Sequence, residues 1–461
     1  MPRLSFIPTA CLLLVAICVS GNTVADDADV ELRERLARLI DGYHQVHGFA
    51  GTVLVMHQEQ TVLDHSVGLA ERSFGIAHSA NTRHSLNSIS KTFTATAVLR
   101  LAERKALDLH APISRYLPDL KSPWAAQVTA HHLLSHTSGL PREAGLESHQ
   151  SLSLEQQLPY VAALDIAFKP GTEYGYSNAG YILLGLLLER VTGADYAAII
   201  EREILTPLQL KETGVYRGRN VVERQATPYR LTPDGVVAAQ RTKTLGESGG
   251  GGLYSTAGDL YRYVRALEDD SLLGAEPRQL LFKGHIQSAG EDYEAYAWSI
   301  KRFGEQTLRF AAGSGYGAKS VMIRNPDQGL FVAILSNWGN TPILQILRDV
   351  FLSLNGETVA PPTHQSLARP ADYQTYMGRY AFDPDELRQS LQIEDSVIRV
   401  HEFDGKLFMN EELLAQGENG ELKLTYTDEL LIRFEQKRMI ITINGRQLIG
   451  QRGTVVPAHS Q

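Results

Sequence analysis

Two hydrophobic periods alternate along this chain, and the points where one replaces the other mark its elements. At residues 30–40, Leu32, Leu36, Leu39 and Ile40 recur every three or four positions, which predicts one face of a helix. Residues 49–56 and 61–69 read as strands joined by the polar turn His57-Gln58-Glu59-Gln60, a hairpin. Helical spacing returns at residues 92–103, where Phe93, Ala97, Val98 and Leu101 share a face, and predicts a buried helix whose first turn carries Ser88 and Lys91. A second helical patch, residues 130–136, is stopped by Gly139 and Pro141. Residues 179–189 are apolar on nearly every side, which places a helix at the centre of a helical lobe. Strand patterns follow at 295–301, 306–310, 320–324 and 330–336, and an amphipathic helix runs from 343 to 354. The expected architecture is an α/β (α+β) domain, an antiparallel sheet flanked by the first and last helices with a helical lobe from mid-chain and a cleft between them.

Beyond residue 356 the pattern changes. Residues 357–371 hold Pro361, Pro362 and Pro370 with few apolar positions, and read as a linker. From 372 to 461 short strands alternate with Asp404-Gly405, Asn419-Gly420 and Asn444-Gly445, dipeptides that favour tight hairpins, so a small antiparallel all-β domain, barrel or sandwich, is expected. The main domain is then 26–356. The whole chain's length of 461 residues suits two domains, and 43% hydrophobic with 21% charged residues excludes disordered and fibrous classes.

Residues 1–25 have Arg3 as their one charge, an apolar run from Ala10 to Val19, and Thr23-Val24-Ala25 before Asp26, the pattern of a secretory signal peptide. An exported protein, periplasmic or secreted, is therefore expected. Both cysteines, Cys11 and Cys18, fall inside that segment, so a chain cut after Ala25 has neither disulfides nor a thiol nucleophile. Loss of Arg3 takes the formal charge from -8 to -9, and no Lys/Arg cluster stands out, which argues against a nucleic-acid partner. No later run is long and apolar enough to predict a transmembrane segment.

Ser88-Ile89-Ser90-Lys91 is the chemically suggestive stretch. A serine hydroxyl is a weak nucleophile at neutral pH, and a lysine amine three residues on shares its helix face and can take its proton. On its own S-x-x-K is a loose pattern. The run Gly249-Gly250-Gly251-Gly252 before a helix capped by Ser255 or Thr256 either brings backbone close to a ligand or is simply a loop. Two motifs are rejected. Residues 313–320 nearly spell a phosphate-binding loop, but Ala318 stands where glycine is needed and a strand follows. His132 and His136 have the spacing of a zinc helix, but Leu133 replaces the glutamate and no third ligand is evident, so a capping, hydrogen-bonding role is expected.

Ser88-Ile89-Ser90-Lys91, His132-Leu133-Leu134-Ser135-His136-Thr137-Ser138-Gly139-Leu140-Pro141, Pro170-Gly171 with Tyr176-Ser177-Asn178, and Gly251-Gly252-Leu253-Tyr254-Ser255-Thr256 occur in this order. Together they resemble the β-lactamase-related serine hydrolases, the family of class C β-lactamases, D-peptidases and family VIII-type esterases, across roughly residues 30–355. The C-terminal part resembles the lipocalin-like β domain often appended to such hydrolases.

The resemblance implies a β-lactamase/transpeptidase-like fold in which Ser88 is the acylated nucleophile and Lys91 its proton partner. Tyr176 and Asn178 match the Y-x-N motif. A phenol beside the Lys91 ammonium can shuttle the proton, and Asn178 offers donor and acceptor to a substrate amide. The third motif, usually K-T-G or H-x-G on an edge strand, falls at Ala311-Ala312-Gly313 and lacks the cation or imidazole. Gly313 is kept, with backbone N–H groups of Ser88 and Ser314 as the expected oxyanion hole. A substrate carboxylate then loses its usual anchor unless Arg309 or Lys319 replaces it. The expected activity is hydrolysis of a small ester or amide without metal or organic cofactor, ester favoured. D-amino-acid peptidase or weak β-lactamase activity is the alternative, and a catalytically silent binder of cell-wall fragments or a protein partner stands outside both.

Overall fold

The computed structural model describes residues 25–453 apart from 146–151, 218–219, 233–234, 240–248, 290, 304–305, 316, 364–371, 392–395, 404, 411, 418–419, 425–429 and 444. Ala25 excepted, the expected signal segment lies outside the described residues, as does most of the expected linker. Contacts divide the chain into two units, one of residues 50–228 with 239–337, the other of 1–49 with 229–238 and 338–461.

The first unit is built on an eight-stranded antiparallel sheet. Its strands are β1 (Gly51–His57), β2 (Gln60–Val67), β3 (Ile286–Ala289), β4 (Asp292–Glu294), β5 (Ser299–Phe303), β6 (Gln306–Gly315), β7 (Ala318–Asn325) and β8 (Leu330–Ser336), in the order β3-β4-β5-β6-β7-β8-β1-β2. β1 and β8 pair from Gly51↔Ser336 to His57↔Leu330 and are buried along almost their whole length, which is why both read as unbroken apolar runs rather than alternating ones. The hairpin between β1 and β2 turns through Gln58 and Glu59, both at positive φ (48° and 67°) without glycine or asparagine. The strand expected from 295 begins only at Ser299, because Ala297 takes a left-handed conformation (φ 64°) and Ala295 N–H closes a turn onto the Trp298 carbonyl. β3 and β4 extend the sheet beyond β5, so β6, with the third-motif residues, is an interior strand and not the expected edge.

The helical part of this unit contains α2 (Ser90–Glu103), α3 (Ala130–Leu134), α4 (Leu154–Ala162), α5 (Asn178–Thr192) and α6 (Ala257–Ala266), following α1 (Ala25–His47) of the second unit. In α2 residues 90–99 are all buried, the threonine face included. That face is tolerated because its hydroxyls are satisfied: Thr92 donates to Ile89 O (2.8 Å), Thr94 to Gly249 O (2.6 Å), and Thr96 pairs with Tyr263 OH (2.9 Å). α5 is apolar and buried from Ala179 to Leu188 and ends at Gly193 in the left-handed conformation (φ 71°). α4, absent from the sequence reading, starts with a capping box between Ser153 and Gln156.

In the second unit α1 packs on α7 (Ile343–Leu354): Tyr43 OH donates to Asp349 (2.6 Å) and Arg35 to Ser353 O (2.8 Å). A closed eight-stranded barrel follows, β9 (Gly378–Ala381), β10 (Val397–Phe403), β11 (Lys406–Met409), β12 (Glu412–Gln416), β13 (Leu422–Leu424), β14 (Leu430–Glu435), β15 (Arg438–Ile443) and β16 (Arg446–Arg452), with β9 pairing both β10 and β16. Gly405, Gly420 and Gly445 sit at φ 74°, 81° and 75° in the hairpin turns, as the dipeptide signals require. Val400, Met409, Leu424, Ile432, Ile441 and Leu448 form a packed core with Leu387 and Leu391 of α8 (Pro384–Leu391), so the barrel is filled by its own side chains. Among the described residues no helix is long and apolar enough to cross a membrane.

Candidate active site

Ser88 lies in a single 3-10 turn, Asn87–Ile89, immediately ahead of α2 rather than in its first turn. Asn87 at φ 50° bends the chain into this turn, and Ser88 keeps partial solvent access. Lys91 is 2% exposed, and its Nζ donates to Ser88 Oγ (3.2 Å) and to the Gly250 carbonyl (2.7 Å). Among the described residues no carboxylate pairs with it. A buried Nζ whose hydrogen bonds go to a carbonyl and to the serine hydroxyl, with no carboxylate beside it, is placed to exchange a proton with that hydroxyl.

Tyr176 OH donates to Ser88 Oγ at 2.8 Å, so hydroxyl, amine and phenol meet at one oxygen. Two cations face its ring: Lys91 Nζ is 5.1 Å and the Arg142 guanidinium 4.7 Å from the centroid. The loop before α5 is fixed by the segment that follows α3. Gly171 N–H donates to Thr137 O, Gly175 N–H to His136 O and Asn178 N–H to Arg142 O, each 2.8 Å. Ser177 caps α5 by accepting from Gly180 N–H (3.0 Å) while donating to Pro141 O (2.8 Å). Ser177 N–H donates to His136 Nδ1 (3.1 Å), and the His136 ring lies 4.5 Å from that of Tyr176. Burial first, then the charges of Lys91 and Arg142, hold His136 well below the ordinary histidine range. It is therefore a neutral ring that accepts at Nδ1.

The glycine run does bring backbone close, but to α2. Gly250 O receives Lys91, Gly249 O receives Thr94, and Leu253 N–H donates to Ser90 Oγ (3.0 Å). A Cβ on Gly249 would meet Tyr181 O at 2.6 Å. Gly250 O was invisible to sequence reasoning because a backbone acceptor carries no side-chain mark. Thr256, one of the two expected caps, is the residue that caps α6.

On β6, Gly313 lies flush against the serine turn: a Cβ there would come within 2.2 Å of Leu86 O and 2.9 Å of Ser88 N. Ser314 follows, exposed and paired with Lys319. Ala311 is 5% exposed and belongs to the apolar core. Neither suggested replacement cation stands in for it. Arg309 stacks on Phe282 (3.7 Å) and lies 3.8 Å from Glu268. Lys319 shares the sheet face of Ser314, opposite to the face on which Gly313 and Ser320 meet Leu86. Asn178 also differs from expectation. Its Nδ2 donates to Glu143 Oε1 (2.7 Å), so a substrate meets its acceptor oxygen more readily than a free donor. His132 closes a capping box with Thr129 at the start of α3. Among the described residues no group of three or more His, Cys, Asp or Glu is arranged to hold a metal ion.

Known proteins are similar to this chain in sequence and in fold. The family model described as Beta-lactamase matches residues 36–349, well over half of the chain. Penicillin-binding protein 4* of Bacillus subtilis (strain 168) is 30% identical over 329 residues, covering 66% of this chain and 72% of the relative. Protein flp of Staphylococcus aureus (strain MRSA252) is 25% identical over 62% of this chain, which spans 59% of that protein's length. Among solved structures, D-amino acid amidase from Ochrobactrum anthropi SV3 complexed with D-phenylalanine superposes with a TM-score of 0.63 at 23% identity, over 71% of this chain and 99% of the amidase, a likeness of fold. With the family model spanning the sheet, the serine turn and the helical lobe, the chain belongs to the β-lactamase family of serine hydrolases.

Proposed function

We propose that this protein hydrolyses small esters or amides through a Ser88 acyl-enzyme. The observation that carries the reading is the meeting of Lys91 Nζ (3.2 Å) and Tyr176 OH (2.8 Å) at Ser88 Oγ. Ser88 Oγ attacks the carbonyl carbon while its proton passes to the Tyr176–Lys91 pair in the state that holds a free base, phenol beside amine or phenolate beside ammonium. The charge on the carbonyl oxygen is taken up by the N–H groups of Ser88 and Ser314, beside Gly313. The pair then protonates the leaving group, the C–O or C–N bond breaks, and water repeats the sequence on the acyl-enzyme with the same groups in reverse. Such a constellation is more than a silent binder needs.

Ester hydrolysis is favoured because Ala311 removes the third-motif cation that would anchor a peptide carboxylate or a β-lactam. Hydrolysis of D-amino-acid amides or peptides, or weak β-lactamase activity, is the second reading, the former favoured by the likeness to the D-amino acid amidase and the latter by that to penicillin-binding protein 4*. The apolar leader before Ala25 supports export to the periplasm or beyond. The test is turnover of a short-chain chromogenic ester together with fluorophosphonate labelling. Wild type is expected to turn over and label, and Ser88→Ala to do neither; equal labelling of both would defeat the reading.

A further inference from the structure

The third motif on β6 has Ala311 in place of a cation, and the segment after α3 carries one close to Tyr176. Arg142, in the segment after α3, places its guanidinium 4.7 Å from the centroid of the Tyr176 ring, whose hydroxyl touches Ser88 Oγ. Its ion-pair partner is Glu143 at 3.8 Å, beyond hydrogen-bond distance, and that carboxylate already accepts from Asn178. Among the described residues no acceptor takes a hydrogen bond from the Arg142 side chain, which is 34% exposed. A planar guanidinium whose donors make no hydrogen bond among the described residues, beside Tyr176, suits bidentate recognition of a carboxylate.

We propose that Arg142 is a specificity-determining residue that binds a carboxylate on the leaving-group side of the substrate. The inference rests on the Ser88 acyl-enzyme reading and names its preferred substrate class, esters whose departing alcohol or phenol carries an acid group. Tyr176 fixes the side. Its hydroxyl is where the departing oxygen would receive its proton, and the Arg142 guanidinium lies over its ring. A leaving group that extends from Ser88 past the Tyr176 ring carries a negative charge toward the guanidinium, which lies 4.7 Å from the centre of that ring. The position differs from that of Ala311, so the selected charge is held from the loop side of the site and not from the sheet.

The experiment compares phenyl acetate with 4-acetoxybenzoate. Both deliver the same acetyl group, so they share one acyl-enzyme and one deacylation step, and differ only in the carboxylate of the leaving group. Wild type is expected to prefer 4-acetoxybenzoate in kcat/KM, and R142Q to lower that preference about tenfold or more. R142K should retain a large part of it, and R142E should lower it further. Any general effect of the substitution on acylation enters both substrates and cancels in the ratio. A wild type without preference, or a ratio unchanged in R142Q, overturns the inference while leaving the acyl-enzyme intact. Absence of turnover on both esters together with absence of fluorophosphonate labelling overturns the acyl-enzyme reading and this inference with it.

Discussion

Gly313 shows how little room the reacting atoms have. A methyl group there would press on Leu86 O and Ser88 N, both backbone atoms that cannot swing aside. Gly313→Ala is therefore expected to displace the serine turn, slowing acylation about a hundredfold and lowering stability by about 1–3 kcal/mol. Stopped-flow acylation and urea denaturation measure the two effects, and a fully active variant would show that β6 does not shape the site. Tyr176→Phe removes one hydroxyl whose hydrogen-bond partner is Ser88, so kcat/KM should fall about 10²–10⁴-fold with the melting temperature nearly unchanged. An equal loss of stability would assign Tyr176 to packing instead. Ser88, Lys91 and Tyr176 were legible in the sequence because each is a side chain in a spaced motif. Gly250 O and the claim of Glu143 on Asn178 were not, since one is backbone and the other joins residues 35 positions apart.

At the scale of elements, Tyr176 is held by the cap of α5. Ser177→Ala removes the hydroxyl that both receives Gly180 N–H and ties Pro141 O, which should cost about 1 kcal/mol and disorder the approach to Tyr176. The check is the denaturation midpoint together with kcat for a neutral ester; a midpoint equal to wild type would place the anchorage elsewhere. Elements with a clean period were readable: β8 and α7 occupy the predicted 330–336 and 343–354. Failures have local causes. The apolar stretch 295–300 looks like one strand, yet Ala297 reverses the chain inside it. The box at Ser153 and Gln156 did mark α4, and the periodic signal there is too short to have drawn attention.

Across the whole molecule, histidines kept neutral by full or partial burial tie stability to pH in both units. His47 in one and His131 in the other are lowered to about 4, chiefly by burial, with Lys406 adding to the first and His285 to the second. Between their unfolded value near 6.5 and about 4 the unfolded chain binds these protons and the folded chain does not. Stability is therefore full above pH 6.5 and falls on acidification, by on the order of 1 kcal/mol per pH unit for buried His47 and by less for half-buried, partly solvent-screened His131. Glu294, raised by burial, acts in the opposite direction and softens the slope. Urea midpoints at pH 7.5, 5.5 and 4.5 should decline, with His131→Gln giving a shallower line; a flat wild-type profile would contradict the burial argument. The barrel's turns were legible from three glycine dipeptides, whereas its filled interior depends on strand closure that no local pattern announces.

The most direct measurement is mass spectrometry of the intact protein quenched during turnover of an ester, followed by peptide mapping. The account predicts one acyl mass on the peptide containing Ser88, absent from Ser88→Ala and diminished in Lys91→Ala. An adduct on another residue, or one that persists in Ser88→Ala, would contradict it.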